Sequence, residues 1–142
     1  EWVCAVGFPL GGMTAFLCAP NHGGMDAVVT VERPPGLPDI RPYRPILPLW
    51  SLFLLSLGAR FRAVNEGGPV PMEAAAGFPD LPLLVVHGEN EAFYRRSDLD
   101  SMLAKMDGKA ELMVIDGAGH TELAGREKEL LDWLMEKSRG RG

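Results

Sequence analysis

The stretch Trp2-Val3-Cys4-Ala5-Val6-Gly7-Phe8-Pro9-Leu10-Gly11-Gly12-Met13-Thr14-Ala15-Phe16-Leu17-Cys18-Ala19 decides how the chain is read. Residues 2–7 are apolar without alternation, which predicts a strand buried on both faces. Residues 11–19 read as a helix, halted at Pro20-Asn21. Between them Gly7 and Gly11 flank a short connection, and a tight strand-to-helix turn needs residues without a Cβ. Pro9 sits at its centre. Its ring holds φ near −65° and pushes Phe8 towards extended backbone. A strand, a glycine-bounded turn and a helix make the first half of a βαβ unit, the building block of parallel sheets.

The rest of the chain repeats that alternation. Ala27-Val28-Val29-Thr30-Val31 is a second strand, rich in β-branched residues. Residues 32–48 hold six prolines (Pro34, Pro35, Pro38, Pro42, Pro45 and Pro48), a density that forbids regular elements. The apolar run 46–57 follows, then Arg60-Phe61-Arg62, the breakers Gly67-Gly68-Pro69-Val70-Pro71, and a short helix over 72–76. Residues 32–80 therefore form a lid-like insertion. Leu83-Leu84-Val85-Val86 is the third strand. Ser97-Asp98-Leu99-Asp100 has the spacing of a capping box, and Leu99, Met102, Leu103 and Met106 line one helical face up to Gly108. Leu112-Met113-Val114-Ile115 is the fourth strand. A last helix spans about 125–137, with Leu130, Leu131, Leu134 and Met135 on its inner face.

Composition bounds the function. A chain of 142 residues, 46% apolar and 23% charged, predicts one globular domain over residues 1–142. A net charge of −5 leaves no electrostatic footprint for nucleic acid. The short basic tail from Lys137 to Gly142 does not alter that and reads as a frayed end. The run 46–57 is too short to span a bilayer and carries Pro48. Cys4 and Cys18 have neither metal-site nor disulfide spacing and read as small buried hydrophobes, which fits a reducing, cytoplasmic compartment. No motif calls for a cofactor or a metal. A strand that begins within two residues of Glu1 predicts the C-terminal part of something longer.

Three strand ends carry the chemistry: Gly7-Phe8-Pro9-Leu10-Gly11-Gly12, His87-Gly88-Glu89-Asn90-Glu91 and Gly117-Ala118-Gly119-His120. In that order they resemble the C-terminal half of an α/β-hydrolase, over residues 2 to about 137. The resemblance implies a partial fold of about four parallel strands with flanking helices. It also implies a triad ordered nucleophile, acid, histidine. Gly7 and Gly11 match the glycines of the nucleophile elbow G-x-S-x-G, with Pro9 in the nucleophile slot. His120 falls on the histidine position and Glu91 on the acid position, with Glu89 and Asp98 as alternative acids. Leu10 would supply one oxyanion N–H, while the second donor comes in the family from a loop after an earlier strand. Gly7-Phe8-Pro9-Leu10-Gly11-Gly12 is similar to the elbow of dienelactone hydrolases, where cysteine fills the slot. Gly117-Ala118-Gly119-His120 looks more like general esterases and peptidase-like members.

The residue types suit that chemistry. A histidine can take a proton from a nucleophile and return it to a leaving group, and a carboxylate fixes its tautomer. Proline has neither hydroxyl nor thiol. The resemblance therefore implies the carboxylic-ester or acyl-hydrolase class, impaired at the nucleophile. Two alternatives stay open: a non-catalytic pseudohydrolase that binds a small acyl ligand or a protein, and a fragment completed by another chain. His87 reads as structural and His22 as a surface loop residue. The strand at 2–7 would be internal in a complete fold, so an open apolar edge and self-association are expected there.

Overall fold

The computed structural model describes residues 1–21, 23–32, 74–91 and 96–140. Most of the proline-rich insertion, the run 46–57, Arg60-Phe61-Arg62, the breaker segment 67–71, His22 and the last two residues of the tail lie outside them. Four strands, β1 (Cys4–Gly7), β2 (Ala27–Val31), β3 (Leu83–Gly88) and β4 (Ala110–Ile115), form one sheet. They lie side by side in chain order, and every pairing is parallel. Helix α1 (Pro9–Cys18) follows β1, α2 (Arg96–Ala104) follows β3, and α3 (Glu127–Arg139) follows β4.

Side-chain alternation along β2 and β3 builds two cores, one on each face of the sheet. Val28, Leu83 and Val85 face Phe16 of α1, Leu99 and Met102 of α2, Met106 and Phe78. Phe16 and Phe78 stack at 4.7 Å between ring centroids. Ala27, Val29, Val31, Leu84 and Val86 face the other way, onto Ile115, Ala118, and Leu130 and Trp133 of α3. Strands buried on both faces read as continuous apolar runs, and β2 and β3 are buried at every position.

β1 departs from that expectation. Its apolar run predicts burial on both faces, yet it is an edge strand with Val3 and Val6 exposed. An uninterrupted apolar run marks a strand suited to the inside of a sheet, and β1 pairs with β2 alone among the described residues. Cys4 and Cys18 are accordingly half-buried rather than fully buried. Burial still pushes the Cys4 thiol up to about 11 from an ordinary 9.0. A rise of that size leaves about a hundredfold less thiolate at neutral pH. Cys4 is therefore expected to react with iodoacetamide about a hundredfold more slowly than a free cysteine at pH 7.5. Labelling followed by mass spectrometry checks this.

Two further expectations are corrected. Ser97 does not cap α2: the helix already includes Arg96, whose Nε donates to Asp100 Oδ1 at 2.8 Å, and Ser97 gives its carbonyl to the Ser101 hydroxyl. The inner face of α3 carries Leu130 and Trp133, with Leu134 partly buried, while Leu131 and Met135 are exposed. Trp133 breaks the leucine count because its Nε1–H reaches Glu111 Oε2 on β4 at 3.0 Å, a polar tip that lets a large ring sit at the margin of the core. Met72 and Glu73 of the short helix expected over 72–76 lie outside the described residues, and a 3₁₀ turn spans Ala75–Gly77. No helix of the described residues is long and apolar enough to cross a membrane.

Candidate active site

All four strands run the same way, so their carboxyl ends share one edge of the sheet, where open parallel sheets carry their sites. The three motifs singled out in the sequence stand there, following β1, β3 and β4. Adjacent strands lie ~4.8 Å apart, and β2 separates β1 from β3.

The turn after β1 is tight. Phe8 is extended (φ −97°, ψ 155°) and caps α1, with Pro9 at its first turn. Proline suits that position, because its missing N–H would have no partner there. The Phe8 carbonyl accepts from Gly11 N–H at 2.6 Å and Gly12 N–H at 3.2 Å. A Cβ on Gly7 would lie 2.2 Å from Gly12 N and 2.3 Å from Gly11 C, so only glycine fits between strand and helix. Among the described residues, those with positive φ other than glycine are Glu32, Asp107, Thr121 and Ala124. Pro9 is not among them, as its ring dictates. Leu10 follows at the second helical position, 65% exposed.

Of the three carboxylates open to the acid role, Glu91 is the one placed on His120. Its Oε2 lies 2.5 Å from His120 Nδ1, with the Glu91 side chain 1% exposed and the imidazole 30% exposed. Glu89 turns to the β4 loop instead and accepts from Gly117 N–H at 2.9 Å. Asp98 lies in the first turn of α2. A buried carboxylate on Nδ1 leaves Nε2 as the ring nitrogen able to exchange a proton with a reacting group. The His120 loop is held from below and beside it. Glu122 Oε2 accepts Gly119 N–H at 2.8 Å, Asn90 N–H donates to the Ala118 carbonyl at 2.9 Å, and Asn90 Nδ2 donates to the Gly117 carbonyl at 3.1 Å. Thr121, next to His120, has φ 64°. A β-branched residue in left-handed backbone is a strained conformation that the surroundings must impose.

A third acidic residue belongs here that sequence reading passes over. Glu32 directly follows β2 and opens the proline-rich stretch, so it reads as the first residue of a loop. It is 1% exposed, and its carboxylate accepts the Gly88 N–H. One ligand atom each from Glu32, Glu91 and His120 lie within 4.8 Å of one another. A carboxylate and histidine cluster of that size could hold a divalent cation. The only sequence signal for Glu32 is an acidic residue directly after a strand that is apolar at every position but Thr30.

His87 is buried in β3, and its Nδ1 lies 3.7 Å from Glu32 Oε2. Burial lowers the pKa of its imidazole below 6.5, Arg96 adds to the lowering, and Glu91 and Asp100 oppose it. The Glu32 carboxylate alone would favour the imidazolium, but burial of the ring prevails, so this contact joins a carboxylate to a neutral ring. In the unfolded chain the ring protonates near 6.5. As pH falls below that value the unfolded state gains a proton that the native state refuses, and stability drops. The melting temperature is expected to fall as pH is lowered from about 6.5, and His87→Asn is expected to flatten that part of the curve. Parallel profiles in a calorimeter would contradict this assignment.

No protein-family model matches the sequence. No curated protein matches it either. Solved structures do. The chain superposes on an esterase of Pyrococcus furiosus with a TM-score of 0.70 at 15% identity, covering 97% of this chain and 51% of that one. A putative dienelactone hydrolase from Klebsiella pneumoniae gives 0.58 at 16% identity, with 95% and 50% covered. A puromycin-hydrolyzing peptidase of Mycobacterium tuberculosis gives 0.59 at 17% identity, with 82% and 18% covered. At these identities the likeness is one of fold. The chain spans about half the length of the esterase.

Proposed function

Because the chain has the α/β-hydrolase fold, in four parallel strands with flanking helices, we propose that it is a carboxylic-ester or acyl-hydrolase-class protein that keeps the proton-handling pair and lacks the nucleophile. The contact of 2.5 Å between Glu91 Oε2 and His120 Nδ1 at the carboxyl edge of the sheet carries this reading. In such a pair Glu91 orients the ring and stabilises its cation, while Nε2 takes a proton from an attacking hydroxyl and later returns it to the leaving group. Pro9 stands where the attacking side chain would be. It offers no lone pair for acyl transfer, and its φ excludes the strained turn that raises a nucleophile above the sheet. With proline in that slot, water is a nucleophile that His120 could activate. Leu10 N–H would donate to a developing oxyanion from the amino end of α1.

The isolated chain is expected to show no turnover of short acyl esters, and no labelling by serine- or cysteine-directed activity probes at residue 9. Pro9→Ser restores a hydroxyl and permits the turn. Its activity is still expected to stay low, because a single missing oxyanion donor reduces rate by roughly 10²–10³. Hydrolysis by the unmodified chain that disappears in His120→Ala would overturn the impaired reading. A second reading, a fragment whose site is completed by another chain, draws on the exposed β1 edge beside Phe8 and Leu10.

A further inference from the structure

Glu32 combines three features that are each unfavourable alone. It adopts left-handed backbone (φ 53°) without being glycine. It is a carboxylate with 1% exposure, which needs polar partners to be tolerated. It also sits among Glu91 and His120, so two carboxylates share the surroundings of one imidazole. Such outliers persist where the fold imposes them, and they concentrate at functional sites.

Its contacts say what it does. Gly88 is the last residue of β3, and its N–H donates to Glu32 Oε1. The Gly88 carbonyl accepts the Glu91 N–H at 3.1 Å, so residues 88–91 close into one turn. That turn is tied to the His120 loop, because Glu89 N–H reaches the Ile115 carbonyl at 3.0 Å and Asn90 N–H the Ala118 carbonyl at 2.9 Å. Gly88 has no room for a side chain: a Cβ would lie 2.6 Å from the Ala118 carbonyl and 2.7 Å from Glu32 Oε1. Glu32 is thus wedged at the N–H of Gly88, where the acid-bearing turn leaves β3. Left-handed backbone turns the chain out of β2 just where its side chain must reach across to β3. A carboxylate acceptor makes that bond stronger than a neutral one when it is ionised.

We propose that Glu32 is a positioning residue of the histidine site: by holding Gly88 N–H it sets the turn that presents Glu91 to His120 Nδ1. This rests on the His120–Glu91 pairing described above, and requires no catalytic turnover.

The test is proton NMR of the full 142-residue chain, following the hydrogen-bonded imidazole Nδ1–H of His120 and the exchange of the Gly88 amide. Glu32→Gln keeps an oxygen acceptor of the same shape, so both signals are expected to persist. Glu32→Ala is expected to lose the imidazole signal and to speed Gly88 exchange at least about tenfold, with the amides of β2 and β4 unchanged. An unaltered imidazole signal in Glu32→Ala would overturn the proposal, and so would its loss in Glu32→Gln. A Gly88 amide that already exchanges at the rate of an open loop in the unmodified chain would do the same. Glu91→Ala separates the two levels: it removes the acceptor on His120 Nδ1, so if the signal assigned to the pair survives that change, the His120–Glu91 pairing itself fails, independently of Glu32.

Discussion

Gly7→Ala is expected to destabilise the chain by about 3 kcal/mol or more, the largest loss expected at any glycine of the described residues. The added Cβ would stand 2.2 Å from Gly12 N, 2.3 Å from Gly11 C and 2.4 Å from the Gly11 carbonyl oxygen. These are backbone atoms, so no rotamer change relieves the clash. Either β1 must leave β2 or α1 must lift from the sheet. The first breaks the pairing of Cys4 to Gly7 with Ala27 to Thr30. The second withdraws Phe16, fully buried and stacked on Phe78, from one of the two cores. A domain of this size has roughly 5–15 kcal/mol of stability in all, so the loss is a large share. Gly11→Ala is the internal control. Nothing lies within 4 Å of a Cβ there, and alanine in a helix is better than glycine by ~0.5–1 kcal/mol. Urea denaturation of both variants reads the contrast. A Gly7→Ala midpoint equal to that of the unmodified chain would show the turn to be looser than its geometry.

The second large effect concerns association. β1 is expected to pair with β1 of a second copy, joining two four-stranded sheets. Its free side offers unpaired backbone groups, and Val3, Val6, Phe8 and Leu10 are all exposed beside it, Val6 to 44%. Residues 2–25 contain no Asp, Glu, Lys or Arg, so β1 carries no like charges of its own to set against a second copy. The opposite edge is protected. On β4, Glu111 binds Lys137 at 2.7 Å and the Trp133 indole at 3.0 Å. Burial raises the Glu111 carboxyl, but those two donors outweigh it and hold the group below its usual range. Edge charges of that kind are how sheets avoid pairing with each other. Light scattering of the purified chain is expected to report dimers or larger species that grow with concentration. Val6→Lys is expected to return it to monomer, since it would set two lysines against each other across the new pair. A monomer at every concentration in the unmodified chain would refute edge pairing.

The comparison of edges shows where sequence reading has physical purchase. Residues 27–31 and 83–88 are apolar at nearly every position, and strands of that kind bury both faces in any fold that accepts them. Pro9 fixes its own φ and Gly7 leaves room for α1 to approach β1 closely, so the turn and the start of α1 follow from local sterics. His87 reads as structural because it lies in an apolar run, and it is buried there. The alternation of strands and helices makes the sheet parallel, which brings all three motifs to one edge. To that extent the fold, and the proximity of Glu91 and His120, are properties of the sequence itself.

Other features depend on which neighbours are present, and no local pattern records that. β1 reads like β2 but has a partner on one side only. Leu131 reads like Leu130 but points outward, because Trp133 claims the margin of the core through its bond to Glu111. Glu89, Glu91 and Asp98 are equivalent as acids until the turn after β3 aims one of them at His120. Glu32 is the clearest case: along the chain it lies 56 residues from the Gly88 N–H it holds. Hydrophobic periodicity and turn chemistry act over a few residues, and so the sequence by itself determined the strands, the helices and the tight elbow at Pro9. The charged groups of the site are selected by contacts between strand ends, and those exist only once the sheet has assembled.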